Sequence, residues 1–449
     1  MKSDTLPAKK PGILVNRNFA LLWFGQTISF MGDYLFDTTL VLWVVTQVAV
    51  GQSWAPLAVG VVLAAASIPI LIIGPIAGVF ADRWEKRQTM LRMDALRAVL
   101  IALLLPFATI VHLPAILTLI IISIVVFFVS ASAQFFSPSS LTLVSIIVEE
   151  PHRARAFGLS QTMASLAMIV APPLATILFF AVGAKIALLF DSLSFAVSFL
   201  AVLAIRAPKS VRSGVPGKQT SFLREFVEGV RFFVGNHILI TVLTAAFLVV
   251  LYEGSFNALG IFFLQQNLHT PLNFYGFLNT AMGLGLTLGA LLAAAFAQRL
   301  GVTNVLGLGL TLTGLLVIVY ARLNNFIPAL VIMFIQGLLV AGVNVSISPL
   351  VLHTTPQELL GRVAAVFKTG LNLSSLLAVT IVSFLASTVM HDFHATILGI
   401  AFGPIDTIFL IAGLLATVGG LYATFNLRGV KIAKEKEASI AHEDPLLAE

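Results

Sequence analysis

Three carboxylic acids lie in stretches of the chain that are otherwise almost wholly apolar. Asp33 and Asp37 are one helical turn apart within residues 19–48, and Glu253 lies within residues 237–266. Charged side chains are costly in the middle of a membrane span, where they usually face a cavity, a partner or a transported ion. We therefore predict that Asp33, Asp37 and Glu253 bind a cationic substrate or carry a coupling proton. The alternative is structural, with the acids clamping helices together or placing charge at an outer mouth.

No pattern typical of catalysis accompanies these acids. The sequence has no His-Glu-x-x-His metal motif, no phosphate-binding glycine loop followed by lysine and no serine-nucleophile motif. It has no cysteine, which excludes disulfides and thiolate metal sites. A membrane-embedded enzyme would need a polar cluster at one depth, and a channel would need a repeated filter. We predict a protein that is not an enzyme and uses no cofactor or metal, so that uphill transport would draw on an ion gradient.

The elements that hold the acids are predicted to be membrane-spanning helices. Of the 449 residues, 58% are hydrophobic and only 10% are charged, against about 25% charged in a soluble domain. The mean hydropathy is +1.01. A spanning helix needs about 20 mostly apolar residues. We predict twelve spans, at residues 19–48, 56–80, 93–112, 115–139, 157–182, 184–205, 237–266, 272–298, 303–321, 326–351, 362–389 and 400–426.

The basic residues predict which loops face the cytoplasm. With the N-terminus inside, nearly all of the 26 Lys and Arg residues fall in inside segments, and only Lys185 and Arg322 fall outside. Short cytoplasmic loops collect Lys and Arg in this way. We predict a multi-pass protein of the cell membrane with both termini in the cytoplasm. The net charge of +6 is then a topology signal and no indication of nucleic-acid binding.

A long polar stretch, residues 206–236, divides the predicted spans into six and six. Its second part places Phe222, Phe226, Val230 and Phe233 at helical spacing, with charged residues between them. This pattern predicts an amphipathic helix on the inner membrane surface. The predicted division is a tail at 1–18, a six-helix bundle at 19–205, a linker at 206–236, a second six-helix bundle at 237–426 and a tail at 427–449.

The two halves carry similar features at equivalent places. Overlaying the first and seventh spans sets Asp33 on Glu253, and overlaying the sixth and twelfth sets Asp191 on Asp406. Acids at matching depth in matching helices predict a duplicated six-helix unit. Parallel repeats about an axis along the membrane normal are a recurring plan of secondary transporters.

Four further charged residues of the spans are given structural roles. Asp94 and Arg97 are three residues apart near the inner end of the third span, so we expect them to pair with each other or with the basic loop before them. Asp191 and Asp406 lie near the outer ends of their spans, and we interpret them as polar caps.

The loop after the second span carries a short motif. Residues 78–87 read Gly-Val-Phe-Ala-Asp-Arg-Trp-Glu-Lys-Arg, and in this position they resemble the signature of the major facilitator superfamily (MFS). The motif departs from the family at Glu85, where a glycine is usual, which predicts a less tight turn. The resemblance implies an all-α membrane fold of two six-helix bundles that works by alternating access. It also implies a cytoplasmic gate formed by Gly78, Asp82, Arg83 and Arg87, while the alternative is that the basic residues only set topology.

Shorter stretches point to one branch of that family. Met31-Gly32-Asp33-Tyr34 and Gly361-Arg362 look like the macrolide-efflux and enterobactin-exporter branch. Ala171-Pro172-Pro173 departs from the Gly-Pro step of drug/proton antiporters. The resemblance implies efflux, with a drug- or macrolide-like compound as substrate. The many Phe residues and the intramembrane acids suit a hydrophobic or amphiphilic small molecule. We further expect a functional monomer in the lipid bilayer, with protons as the candidate coupling ion. Siderophores and lysophospholipids remain open as alternative substrates.

Overall fold

The computed structural model is almost wholly helical and describes residues 14–108, 113–206, 222–397 and 399–428. The first half of the chain forms α1 (Arg17–Trp43, continued by a π turn at Val44–Val48), α2 (Ala55–Ile72), α3 (Gly74–Arg83), α4 (Lys86–Ala102), α5 (Ala115–Ile147), α6 (Glu150–Val182) and α7 (Ala184–Ala204). The second half forms α8 (Phe222–Gly235), α9 (His237–Gln266), α10 (Tyr275–Leu300), α11 (Val302–Tyr320), α12 (Phe326–Thr354), α13 (Leu360–Phe384), β1 (Ala395–Ile397), β2 (Ile400–Phe402) and α14 (Pro404–Asn426). The predicted all-α fold is confirmed.

Eleven helices within the described residues are long and apolar enough to cross a membrane. The third predicted span, 93–112, falls short of this, because its helix α4 runs from Lys86 to Ala102, has only 17 residues and carries several charges. Residues 109–112 of that span lie outside the described part of the chain. Helix α4 nevertheless packs against α5 and α7 inside the bundle. With the eleven longer helices, α4 therefore completes a bundle of twelve, in the position of the third predicted span.

The second predicted span is broken into two helices. Helix α2 ends at Ile72 and α3 begins at Gly74, with Pro75 in its first turn. Proline has no N–H to donate to the preceding turn, and its ring clashes with that turn's carbonyl. The chain therefore bends here, and α3 presents the family motif at the end of the span.

Helix packing repeats between the two halves. Helix α1 packs on α6 and α7, as α9 packs on α13 and α14. Helix α4 packs on α5 and α7, as α11 packs on α12 and α14, and the pair α2–α5 corresponds to α10–α12. The same set of neighbours thus occurs twice, in matching chain order. This confirms the predicted fold of two six-helix repeats.

Two helix pairs join the halves, α2 with α13 and α6 with α10. Exchanging the halves converts one pair into the other, as a pseudo-two-fold axis requires. The backbone N–H of Leu57 donates to Ser387 Oγ at 2.8 Å, and Thr280 Oγ1 donates to the carbonyl of Ile169 at 2.6 Å. Leu57 and Thr280 lie in the first two turns of α2 and α10, and Ser387 lies just after α13, so the halves are joined at this end.

The apolar core shows how far this joining extends. One large cluster of buried side chains draws on both halves and includes Val48 and Leu264, near the ends of α1 and α9. Two other clusters each draw on one half, one around Phe19 and Ile147, the other around Leu239. We call the first end the joined end and the other, where residues 206–236 connect the halves, the linker end. The halves therefore pack together at one end and form separate cores at the other.

The amphipathic helix predicted before the seventh span is present as α8. The Phe233 side chain is buried, and its ring centroid lies 6.3 Å from that of Phe367 on α13. On the same contact Arg362 Nη1 lies 2.7 Å from Glu228 Oε2. Helix α8 is thus docked on the start of α13, and its place on the inner membrane surface stays a prediction.

The last helix begins later than predicted, at Pro404 rather than residue 400, because a short β-hairpin precedes it. The backbone N–H of Gly403 donates to Asp406 Oδ1 at 2.8 Å, and Arg322 Nη1 lies 2.7 Å from Asp406 Oδ2. A carboxylate in the first turn of a helix meets the positive end of the helix dipole. The structure therefore agrees with the interpretation of Asp406 as a polar cap.

Candidate functional site

Four charged side chains lie close together inside the first half. They are Asp33 on α1, Asp94 and Arg97 on α4, and Asp191 on α7, and we call them the acidic cluster. Arg97 Nη2 lies 2.6 Å from Asp94 Oδ1, and Ser198 Oγ donates to Asp94 Oδ2 at 2.7 Å. Asp94, Arg97 and Asp191 are buried, and Asp33 is half-buried. The expected pairing of Asp94 with Arg97 is present.

Aromatic rings fix the Arg97 guanidinium in place. Its central carbon lies 4.4 Å from the ring centroid of Phe136 and 4.2 Å from that of Phe195. A cation over an aromatic face is attracted by the ring quadrupole, more strongly where water is excluded. Arg97 is therefore held from two sides while it pairs with Asp94, and its position leaves little freedom to turn toward other acids.

Asp191 does not cap a helix end, so this part of the sequence interpretation is wrong. Helix α7 begins at Ala184, which places Asp191 two turns inside the helix and completely buried. The matching residue of the overlay, Asp406, lies in the first turn of α14. The two acids therefore occupy different positions in their helices, and Asp191 faces the interior of its half.

A glycine lets α1 approach Asp191 closely. A Cβ atom at Gly32 would lie 2.4 Å from Asp191 Oδ1, a distance that no side chain tolerates. The charged groups that act on Asp191 are Asp33, Asp37 and Arg97. Sequence reasoning had picked out the Gly32-Asp33 step without seeing that the glycine seats α1 against a third acid.

Glu253 lies in a different environment, a cavity of about 300 Å³ inside the second half. Helices α9, α11, α12 and α13 line this cavity, with Val249, Val343 and Ile347 among its apolar residues. Its other polar residues are Thr313, Asn344, Asn372 and Ser375. A half-buried carboxyl group surrounded by carboxamides and hydroxyls can hold the ammonium or hydroxyl groups of a ligand.

The structure does not bring the three predicted acids into one cluster. Asp37 lies one turn beyond Asp33 on α1 and is exposed. Glu253 faces side chains of the second half, while the charged groups acting on Asp33 are Arg97 and Asp94 of the first. Each half thus has its own intramembrane polar site.

The predicted gate residue Arg87 is bound to its own half. Its Nε donates to the carbonyl of Val202 at 3.1 Å, and its Nη2 donates to that of Leu203 at 2.6 Å. Both carbonyls lie in the last turn of α7, where orphan acceptors and the helix dipole favour a cation. Arg87 therefore ties the motif loop to α7 of the same half.

The remaining gate residues lie on or at the end of α3. Arg83 is exposed in the last turn, whereas the side-chain surroundings of Gly78 and Asp82 lie outside the described part of the structure. Glu85, the departure from the family motif, accepts hydrogen bonds from the backbone N–H groups that follow it and has φ of −69°. A glycine is not required at that φ, and the carboxylate caps α4 instead.

The contact between α6 and α10 at the joined end depends on a glycine. A Cβ atom at Gly276 would lie 2.2 Å from the carbonyl oxygen of Pro172. Further along α10, a Cβ at Gly283 would meet side-chain carbons of α6 at 3.3 Å. The two backbones therefore touch most closely toward the joined end, which closes that side of the bundle.

A doubled six-helix bundle, joined at one end and carrying buried polar sites in both halves, defines a membrane transporter. The chain belongs to the MFS_3 family, described as transmembrane secretion effector, whose model matches residues 12–416. The predicted membership of the major facilitator superfamily is confirmed, and so is the prediction of a transporter rather than an enzyme.

Sequence relatives agree with this membership at low identity. The chain is 24% identical over 365 residues to the uncharacterized MFS-type transporter YkuC of Bacillus subtilis, with 78% of this chain and 81% of YkuC covered. It is 26% identical over 192 residues to macrolide efflux protein A of Enterococcus faecalis, with 43% of this chain and 58% of that protein covered. The match to macrolide efflux protein A therefore spans little more than half of that relative.

Solved structures share the fold. The nucleoside transporter NupG superposes with a TM-score of 0.73 at 14% identity, covering 92% of this chain and 99% of NupG. A bacterial homologue of the iron transporter ferroportin, in an inward-facing state, superposes with a TM-score of 0.67 at 14% identity, covering 90% of this chain and 98% of that one. At such identities the likeness concerns the fold alone.

Proposed function

We propose that this transporter works by alternating access and uses an ion gradient to export a hydrophobic or amphiphilic small molecule, drug- or macrolide-like. The observation that carries the proposal is the asymmetry of the core, joined across the halves at one end and divided at the linker end. The Lys and Arg distribution assigns the linker end to the cytoplasm. The divided side would then admit substrate from the cytoplasm, as an exporter requires.

The substrate site in this proposal is the Glu253 cavity. A volume of about 300 Å³ is at the lower limit of small-molecule pockets, so it suits the polar head of a larger compound. The Glu253 carboxylate would pair with a cationic group, and Asn344 and Asn372 would orient it by hydrogen bonding. Macrolide efflux protein A among the relatives supports a bulky amphiphile as the first class of compound to test.

Coupling and gating are assigned to the first half. Asp33 and Asp37 carry the coupling proton in this proposal, and the gate at the linker end comprises Gly78, Asp82, Arg83 and Arg87. An ion pair made in one conformer alone shifts the equilibrium by its differential energy. The protein works as a monomer in the cell membrane with both termini in the cytoplasm, and its two bundles are residues 19–205 and 237–426.

Transport by purified protein in proteoliposomes tests the proposal. Labelled amphiphilic cations, a labelled macrolide and neutral analogues are added with and without a pH gradient. We expect the wild-type protein to accumulate the compounds only when the gradient is present. Glu253→Gln should abolish both this accumulation and tight binding of the cationic compounds. Equal accumulation with and without the gradient would overturn proton coupling.

The matched control is Glu358→Gln, an exposed glutamate of the second half outside the cavity, which should transport like wild type. Asp33→Asn is expected to uncouple transport while the protein remains in the membrane. Wild-type transport by both Asp33→Asn and Glu253→Gln would end the assignment of these residues.

A further inference from the structure

We infer that the acidic cluster is a proton-binding site in which Asp33 and Asp191 share one proton across the contact between α1 and α7. Asp191 thereby becomes a proton-binding residue on a helix that otherwise serves as packing. The inference deepens the proposed function, on which its role in coupling rests. The binding of the proton itself can be measured without transport.

The first support is the charge balance. The cluster contains three carboxyl groups, those of Asp33, Asp94 and Asp191, and one guanidinium, that of Arg97. Fully ionised, it would hold an excess of negative charge inside a membrane-spanning bundle. An uncompensated buried charge is strongly unfavourable, and buried carboxylates take up protons to avoid it. One proton lowers the excess from two negative charges to one.

The second support is that Arg97 is already committed. Its Nη2 lies 2.6 Å from Asp94 Oδ1, and Phe136 and Phe195 hold the guanidinium from two faces. Asp94 also receives a hydrogen bond from Ser198 at 2.7 Å. Asp94 is thus neutralised by a close ion pair, which leaves Asp33 and Asp191 as the two acids without a cation of their own in the cluster.

The third support is an unsatisfied oxygen. Asp191 is completely buried, and its Oδ2 has no hydrogen-bond partner among the described residues, although Ser194 donates to Oδ1 at 3.3 Å. A buried polar atom without a partner is destabilising, because it has lost its hydrogen bonds to water. A proton on one of two neighbouring carboxyl groups supplies a donor for the other. Protonation of one carboxyl group therefore removes a negative charge and gives the other carboxyl group a hydrogen-bond donor.

Helix α1 touches Asp191 directly beside Asp33. Gly32 seats α1 against Asp191 Oδ1, and the next residue is Asp33. The charged groups that act electrostatically on Asp191 are Asp33 and Asp37 from α1 and Arg97 from α4. Helix α6 contributes apolar Ala175 and Leu178 to this contact, and α5 contributes the Phe136 ring. Half-buried Asp33 connects the pair to the outside of the cluster, so the proton can exchange.

Infrared difference spectroscopy of the purified protein in lipid tests the inference. Protonated carboxyl groups give a carbonyl stretching band distinct from carboxylates, and its intensity is followed during a pH titration in sodium-free buffer. We expect one component of this band in wild-type protein to be lost in Asp191→Asn and equally lost in Asp33→Asn, whereas a component from Asp37 would remain. Asp392→Asn, an exposed acid of an outer loop, is the matched control and should leave the band unchanged.

Persistence of the first component of the band in both Asp191→Asn and Asp33→Asn would overturn the inference. So would its disappearance from wild-type protein when sodium replaces an inert cation, because the cluster would then bind sodium. Size-exclusion profiles identify any variant that fails to fold. If either Asp191→Asn or Asp33→Asn fails, the band of the folded variant tests the inference. The infrared titration uses neither substrate nor gradient, so its result is independent of the transport assay. If the band is present but transport does not depend on the gradient, the proposed coupling is refuted while the proton-binding site is retained.

Discussion

Arg97 Nη2 lies 2.6 Å from Asp94 Oδ1, and almost nothing of either side chain is exposed. Removing one partner of such a buried pair leaves the other charge unpaired, whereas removing both avoids that cost. The opposite case occurs at the joined end, where Arg322 pairs with Asp406 at 2.7 Å but is 36% exposed. The two pairs have similar geometry and differ in how far water screens them.

We expect Arg97→Gln to lower the stability of the folded protein by about 3–5 kcal/mol, because it leaves Asp94 buried without a cation. The double variant with Asp94→Asn should lose clearly less than the sum of the two single variants, since the unpaired charge is absent. Thermal unfolding of detergent-purified protein measures both. Additive losses would show that the two residues do not act as a pair.

Arg322→Gln should cost less, within about 1 kcal/mol, because water reaches Arg322 and buried Asp406 keeps the hydrogen bond from the Gly403 backbone N–H. Arg322 also donates to the carbonyl of Ala401 at 3.1 Å and lies 4.8 Å from the Phe402 ring centroid. The expected local effect is faster hydrogen exchange in the hairpin of residues 395–402. A loss of stability as large as that of Arg97→Gln would contradict the role given to burial.

Gly276→Ala should push the joined end apart, because the new Cβ would lie 2.2 Å from the Pro172 carbonyl oxygen. Overpacking of this kind costs about 1–3 kcal/mol, which changes the ratio of two conformers about 5–150-fold. The native chain has no cysteine, so spin labels at Leu141→Cys and Leu352→Cys report the distance between halves at the linker end. We expect that distance to shorten.

The control for this experiment is Gly283→Ala on the same helix, where the new Cβ would lie 3.3 Å from a side-chain carbon of Ile169 and 3.6 Å from the nearest backbone atom, the Met168 carbonyl oxygen. Side chains can shift by a few tenths of an ångström, so the distance distribution should stay as in wild type. Identical distributions for both variants would mean that the glycine contact does not hold the joined end closed.

Gate variants should slow transport without weakening binding. Arg87→Ala removes two hydrogen bonds to the end of α7, and Asp82→Asn removes the carboxylate implied by the family motif. A differential loss of about 1.4 kcal/mol between conformers corresponds to about tenfold in transport rate. Substrate binding measured on the same preparations should stay unchanged, and a parallel loss of binding would argue against a gate.

Hydropathy alone predicted most of the helices. The predicted span at 237–266 coincides with α9, and the amphipathic spacing from Phe222 to Phe233 predicted α8. The break at Gly74 was missed because the apolar run is continuous through it, although Pro75 carried the signal. The hairpin before α14 was missed because a window of apolar residues does not distinguish a short strand from the start of a helix.

The polar sites were less accessible to sequence reasoning. Spacing along α4 predicted the Asp94–Arg97 pair, since residues three apart share a helix face. The approach of Asp191 to Asp33 depends on how α1 packs on α7, which local patterns do not encode. Their closeness could have been suspected only from Gly32, because a small residue beside an intramembrane acid allows two helices to touch.

The shared core at the joined end has a calorimetric consequence. Wetting apolar surface raises the heat capacity and drying it lowers the heat capacity. In the proposed alternating access, parting of the halves at this end would hydrate side chains of the shared cluster, while closure of the opposite side would dehydrate the separate cores around Phe19 and Leu239. The curvature of an Eyring plot of the turnover rate therefore reports how nearly the apolar area hydrated at the joined end equals the apolar area dehydrated at the linker end. A straight plot would mean that the two areas are equal.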